Sequence, residues 1–260
     1  GWRDVPDADI VPSIDKADEL RKKWGVESGQ LWQLGEHRII CGDCTDADVV
    51  ARLMDIKLNI MVTDPPYGVE YDPNWRNEAA EKGMLAFSAT RVEKVKNDDR
   101  ADWTDAWQLF EGNVVYCWHS DRHASNVHNS LERASFVLRH QIIWAKPHFV
   151  IGRGHYASRH EPCWYGVRKN QTASWCGEQT QDTLWKITLD KNAKGGHSTQ
   201  KPIECMEIPI CNHNGDVYDP FLGSGTTLIA CERLGRKCRA IDLEPKYIAV
   251  TLERWATYTG

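Results

Sequence analysis

One stretch constrains this chain more than any other. Asp216-Val217-Tyr218-Asp219 runs directly into Pro220-Phe221-Leu222-Gly223-Ser224-Gly225-Thr226-Thr227, and the apolar-patterned run Leu228 to Leu234 follows. This pattern reads as a short strand, a turn with two glycines and a helix start. Glycines let backbone come close to a ligand, and the first helical turn offers N–H groups with no intrahelical partner. Further on, Asp242 ends the next strand, where a carboxylate can accept both hydroxyls of a ribose. Three ligand classes compete for such a cradle. A dinucleotide fingerprint needs a third glycine at position 228, which is Leu228, and a phosphate loop needs a Gly-Lys-Ser/Thr run that this chain lacks. S-adenosyl-L-methionine carries an adenosyl ribose without a pyrophosphate and requires neither.

A cradle of this kind needs strands that alternate with helices, and the remaining sequence supplies them. Strands are predicted over 37–42, 58–63, 113–118, 136–145, 162–168, 216–219 and 237–242. Helices are predicted near 16–24 and 103–110, and over 46–54, 121–132, 201–211, 228–234 and 245–255. The expected fold class is α/β, a doubly wound and mostly parallel sheet. Residues 1–29 are polar and lack an apolar period, and they read as an N-terminal arm or linker. Residues 30–260 read as one domain, with a polar insertion at about 72–112 and a small polar segment at about 171–196.

A second motif follows the buried strand 58–63 without a gap: Asp64-Pro65-Pro66-Tyr67. The two prolines stop any helix, remove two backbone donors and stiffen the turn. The Asp64 side chain and a proline carbonyl can then converge on one amino group, with the flat face of Tyr67 beside them. Methylation of an exocyclic amine asks for this arrangement, because the nitrogen lone pair is delocalised into the base ring. Two acceptors holding its hydrogens localise that lone pair and stabilise the positive charge that develops. Tyr67 would stack on a base turned out of a duplex.

The total charge is −5, which neither suggests nor excludes a polyanionic partner. Its distribution says more. From Arg139 to Asn170 six Lys/Arg side chains face one acid, Glu161, and four histidines and several aromatics are interleaved. This marks Lys146, His148, Arg153, His155, Arg159, His160, Arg168 and Lys169 as candidate contacts to DNA. The nine cysteines are scattered, and the lone Cys41-x-x-Cys44 has no second pair to complete a metal site, so no metal is expected. Reduced, mostly buried thiols fit a cytoplasmic setting, and no apolar run is long enough to span a bilayer, so no membrane partner is expected.

Taken together, these residues resemble the beta class of amino DNA methyltransferases, the N4/N6 type, with a phage-like layout. In that class the catalytic motif precedes the cofactor loop, as Asp64-Pro65-Pro66-Tyr67 precedes the loop at 219–227 here. The resemblance spans about residues 30–256. It implies a circularly permuted, seven-stranded Rossmann-like sheet, S-adenosyl-L-methionine as cofactor and double-stranded DNA as substrate. His197-Ser198-Thr199-Gln200-Lys201-Pro202 looks like the family's segment ahead of the cofactor strand, with Ser198 where Pro is usual. The resemblance places Gln200, Lys201 and Pro202 near the methionine end of the cofactor, and Asp43 and Cys44 beside its adenine. It also implies Phe221 packed on the adenine, Asp219 beneath the methionine amino group, Asp242 on the ribose, and contacts from Asp64 and from Gly223, Ser224, Gly225, Thr226 and Thr227. Asp at the first catalytic position looks like the adenine-N6 enzymes, whereas N4-cytosine enzymes mostly carry Ser there. The expected activity is therefore adenine-N6 methylation with short or relaxed sequence specificity. N4-cytosine methylation, RNA or protein-amide methylation and a catalytically silent DNA-binding relative are the alternatives. A homodimer and an upstream ParB-like domain are further partners that the layout suggests by analogy.

Overall fold

The computed structural model describes residues 12–69, 98–150, 155–187 and 201–260. Nine strands form one sheet: β1 (Leu31–Leu34), β2 (His37–Cys41), β3 (Leu58–Thr63), β4 (Val114–Trp118), β5 (Phe136–Val150), β6 (Ser158–Arg168), β7 (Leu184–Trp185), β8 (Asp216–Asp219) and β9 (Cys238–Asp242). Their spatial order is β1-β2-β9-β8-β3-β4-β6-β5-β7. The pairs β2–β9, β9–β8, β8–β3 and β3–β4 are parallel, and β6 runs antiparallel to both β4 and β5. The seven expected strands are all present. Two short edge strands, β1 and β7, extend the sheet to nine.

Among the described residues the α-helices are α1 (Ala17–Trp24), α2 (Ala47–Leu53), α3 (Thr104–Gln108), α4 (Ala124–Arg133), α5 (Glu204–Cys211), α6 (Thr226–Leu234) and α7 (Pro245–Thr259). They cover both faces of the sheet. Alternate residues of the central strands enter separate cores, as the period of two requires. Ile60, Val62, Val114, Tyr116 and Trp118 join the core built with α1, α5, α6 and α7. Met61, Val115 and Cys117 join the core built with α2, α3 and α4. No described helix is long and apolar enough to cross a membrane, and none of the nine cysteines forms a disulfide, with seven of them buried.

Packing ties parts of two outer segments to the sheet. In the segment read as an N-terminal arm, Ala17, Leu20 and Val26 are buried in the core. Helix α1 is also tied to α7 by Lys23–Glu253 (2.6 Å) and by Trp24 Nε1 donating to Glu253 (2.8 Å). One face of this two-turn helix is apolar, and Ala17 and Leu20 carry it into the core. Likewise, residues 98–112 of the expected insertion are structural, since Trp103, Trp107 and Phe110 are almost fully buried. Residues 72–97 of that insertion, and 188–196 of the expected recognition segment, lie outside the described residues.

Candidate active site

The parallel strands β2, β9, β8 and β3 all end at one edge, where an open α/β sheet places its ligands. The catalytic turn leaves β3 there, and the Gly-rich loop leaves β8 beside it, because β3 and β8 are hydrogen-bonded neighbours. Asp219 and Thr63, the last residues of those two strands, are joined directly: Thr63 Oγ1 donates to Asp219 Oδ1 at 2.8 Å. The Phe221 N–H donates to the same oxygen at 3.0 Å. Burial raises Asp219 to about pH 6 against these hydrogen bonds.

The loop is held from behind by α7. Thr251 Oγ1 donates to the Gly223 carbonyl (3.2 Å), and Arg254 donates to the Ser224 carbonyl (3.0 Å) and to Thr226 Oγ1 (3.2 Å). Gly225 adopts φ +83°, and a Cβ there would meet Thr251 at 2.8 Å, so only glycine fits. Gly223, at φ +55°, has open space where a Cβ would point. Its N–H donates to Asp242 Oδ2 (2.7 Å), and the Glu244 N–H donates to Oδ1 (2.8 Å). Burial pushes the Asp242 carboxyl up to about 7 despite those two donors. The Gly42 N–H donates to the Asp242 carbonyl (2.9 Å), which brings Asp43 and Cys44 to the same corner. Asp43 caps its own turn through Thr45 (2.9 Å to the N–H), and Cys44 is buried. Phe221 packs edge-on to Trp103 (centroids 4.6 Å apart) and Trp107 (5.8 Å).

The catalytic turn is fixed by groups that sequence reasoning did not single out. Gly68, at φ +70°, sits so close to Arg100 and Ala101 that a Cβ would meet backbone at 2.8 Å. Asp98 Oδ1 accepts from the Gly68 N–H (2.9 Å) and the Val69 N–H (3.3 Å). Trp103 Nε1 donates to the Pro66 carbonyl (3.5 Å). On the other side, the buried Lys201 Nζ lies 2.6 Å from Asp64 Oδ2, 3.0 Å from Glu161 Oε2, and donates to the Tyr67 hydroxyl at 2.7 Å. Tyr67 in turn donates to Glu161 (3.3 Å), and Lys146 pairs with the other oxygen of Glu161. Asp64 Oδ1 is buried and has no hydrogen-bond partner among the described residues. A lone carboxylate in a basic segment was the one sequence signal that pointed to Glu161.

The expected DNA contacts divide into separate groups. His148, His155, Arg159 and His160 are exposed on the β5–β6 hairpin. Lys146 is drawn inward to Glu161. Arg168 does not join the site. It lies at the opposite end of β6, paired with the start of β5, and its guanidinium is committed to the carbonyls of Gly112 (2.8 Å), Ala134 (3.1 Å) and Phe110. Lys169 follows it at that far edge and is exposed. Pro202 precedes α5 and caps its start through its carbonyl, which accepts from the Cys205 N–H (3.1 Å). Gln200 and Arg153 lie outside the described residues.

A family model described as DNA methylase, of the N6/N4 type, matches residues 58–253. The chain belongs to the N6/N4 DNA methylase family. Members with similar sequences include the type II methyltransferase M2.LlaDCHI of Lactococcus lactis subsp. cremoris, 28% identical over 252 residues, covering 82% of this chain and 89% of the relative. M2.DpnII of Streptococcus pneumoniae is 28% identical over 251 residues, covering 79% and 85%. Among solved structures, the M1.HpyAVI–SAM complex superimposes with a TM-score of 0.57 at 24% identity, covering 83% of this chain and 98% of that one. The cytosine-N4-specific PvuII DNA methyltransferase does so with a TM-score of 0.60 at 14% identity, covering 88% and 89%. These structural likenesses support the family's fold for this chain.

Proposed function

We propose that this chain transfers a methyl group from S-adenosyl-L-methionine to the N6 amino group of an adenine turned out of double-stranded DNA, with short or relaxed sequence specificity. The observation that carries this reading is the state of Asp64. Oδ2 is tied to Lys201, and Oδ1 is buried without a partner among the described residues. A buried carboxylate oxygen left unpaired is costly in a fold with no use for it. An amino group entering beside Tyr67 would satisfy it.

The cofactor cradle fits its expected ligand. Gly223 leaves open space, Asp242 stands at the end of β9 for a ribose, and Phe221 and Asp219 line the same edge. When bound, S-adenosyl-L-methionine supplies an electrophilic methyl group on a sulfonium. Asp64 Oδ1 accepts one hydrogen of the target amine. Because Trp103 engages the Pro66 carbonyl, the Pro65 carbonyl is the second acceptor in this reading. Together they localise the amine lone pair and stabilise positive charge as it grows on nitrogen. The rigid turn holds the amine in line with the attacked carbon.

Asp rather than Ser at position 64 supports adenine over cytosine. The exposed flank of the β5–β6 hairpin supports a nucleic-acid substrate. There His148, His155, Arg159 and His160 are exposed, as are Phe149 (60% exposed) and Tyr156 (94% exposed), a combination suited to phosphates and bases. Methyl transfer from tritiated cofactor to unmethylated DNA, followed by nucleoside analysis, tests the reading. N6-methyladenine is expected; N4-methylcytosine would give the alternative base, and no incorporation into DNA would refute it.

A further inference from the structure

The buried ion chain behind the catalytic turn has a geometry that the methyl-transfer chemistry alone does not explain. Lys201 has three N–H groups and three partners within 3.0 Å: Asp64, Tyr67 and Glu161. Its side chain is 3% exposed, so water does not compete for these bonds. Glu161 is itself held between two ammonium groups, since Lys146 takes Oε1 and Lys201 takes Oε2. The charges therefore alternate in space: Lys146 positive, Glu161 negative, Lys201 positive, Asp64 negative. They come from four separate parts of the chain, on β5, on β6, before α5 and after β3.

We infer that Glu161 is a positioning residue for the methyl-transfer step. It divides the Lys201 ammonium between itself and Asp64, so that Lys201 orients the Asp64 carboxylate without neutralising it. This rests on the reading of Asp64 as the acceptor of the target amine. The argument is one of charge balance. Two carboxylates and two ammonium groups cancel, and the target nitrogen can then gain positive charge next to a site of no net charge. Without the Glu161 charge, Lys201 turns wholly onto Asp64 and the site carries one excess positive charge a few ångströms from the reacting nitrogen. In a partly buried site such a charge acts against the transition state far more strongly than it would in water. Glu161 also accepts from Tyr67, so it fixes the ring on which the base would rest. Its ionised form is well supported, because the two ammonium groups outweigh burial and hold its carboxyl down at about 2.

The discriminating experiment is a charge-compensation series on the full chain: wild type, Glu161→Gln, Lys146→Met and the Glu161→Gln/Lys146→Met pair. Each is assayed with tritiated S-adenosyl-L-methionine and unmethylated bacterial genomic DNA, and cofactor binding is followed by calorimetry. Glu161→Gln is expected to lower kcat by about tenfold or more while changing the cofactor Kd little. The pair removes one charge of each sign and is expected to recover most of that loss. Because Glu161→Gln also leaves the largely buried Lys146 without its counterion, Tm is followed in parallel: kcat recovery by the pair with Tm of all variants near wild type supports a positioning role, and kcat that only tracks Tm overturns it. Glu161→Gln within twofold of wild type, or a pair no more active than Glu161→Gln, overturns the inference. If Glu161→Gln fails to fold, the pair compared with Lys146→Met still decides it: a pair inactive beside an active Lys146→Met is the overturning result. A wild-type protein that methylates no DNA would instead refute the proposed function.

Discussion

Lys201 Nζ and Asp64 Oδ2 lie 2.6 Å apart, and the other oxygen of that carboxylate is buried with no partner among the described residues. The pair joins two motifs separated by most of the chain. It also makes the Asp64 carboxylate asymmetric, with one oxygen engaged by Lys201 and, in the proposed reading, the other left for the target amine.

That asymmetry sets the first expectation. Asp64→Ala should lose more than nine-tenths of kcat, a barrier increase above about 1.4 kcal/mol. Cofactor affinity should stay near that of wild type, since the ribose and adenine corners are untouched. Retention of more than a tenth of the rate would show that another group accepts the target amine.

A pH effect should appear in cofactor binding. The Asp242 carboxyl titrates at about 7 because burial disfavours its charge. The ionised form is the better acceptor for ribose hydroxyls, so affinity should fall as pH drops through 7. Between pH 8 and pH 6 the loss should be about tenfold. Stability should move the other way. A carboxyl raised above its unfolded value adds stability below the unfolded pKa, and that contribution is lost as pH rises through 7. Asp242→Asn should bind the cofactor more weakly and flatten the pH dependence; calorimetry at several pH values checks both.

Gly68→Ala should damage the catalytic turn locally. Its left-handed backbone costs a non-glycine residue roughly 1–2 kcal/mol, and the added Cβ would meet the Arg100 backbone at 2.8 Å. We expect a fall in kcat with a modest drop in Tm. Asp98→Asn, which weakens the acceptor for the Gly68 and Val69 N–H groups, should show the same pattern in milder form. An unchanged kcat in both variants would mean that the turn tolerates displacement.

Two arginines of the basic segment should behave in opposite ways. Arg168→Ala leaves three carbonyls without their donor and should destabilise the fold by about 1–3 kcal/mol, with DNA affinity preserved at temperatures where it stays folded. Arg159→Glu should leave Tm nearly unchanged, weaken DNA binding and reduce its salt dependence. Denaturation curves and binding titrations at several salt concentrations separate the two. Equal effects on DNA binding would show that the far end of β6 also meets the duplex.

The sequence was most informative where structure is local. Continuous apolar runs such as 58–63 and 114–118 are buried on both faces, so they announced themselves as central strands. The two loops at the sheet edge were legible because glycine and proline positions have few uses. β1 and β7 escaped notice, since edge strands of four and two residues carry almost no period. Glu161 and Asp98 act through space on a turn far from them in sequence, and no spacing rule records such a contact. The commitment of Arg168 to three carbonyls was not legible, because a tally of charge along a segment does not say which end of a strand each side chain occupies.

The strand order also has a consequence for how the protein comes into being. β8 and β9 lie between β2 and β3, so two of the last strands synthesised enter the middle of a sheet whose neighbours were made first. Until they arrive, β2 and β3 each present an open edge, and the Gly-rich loop has no α7 to hold its carbonyls. At ordinary rates of synthesis, the interval between the emergence of the catalytic turn and that of Arg254 is roughly ten to forty seconds. Throughout that interval the growing chain holds Asp64 without the Gly-rich loop beside it, so the two motifs come together only in a single late closure of the sheet.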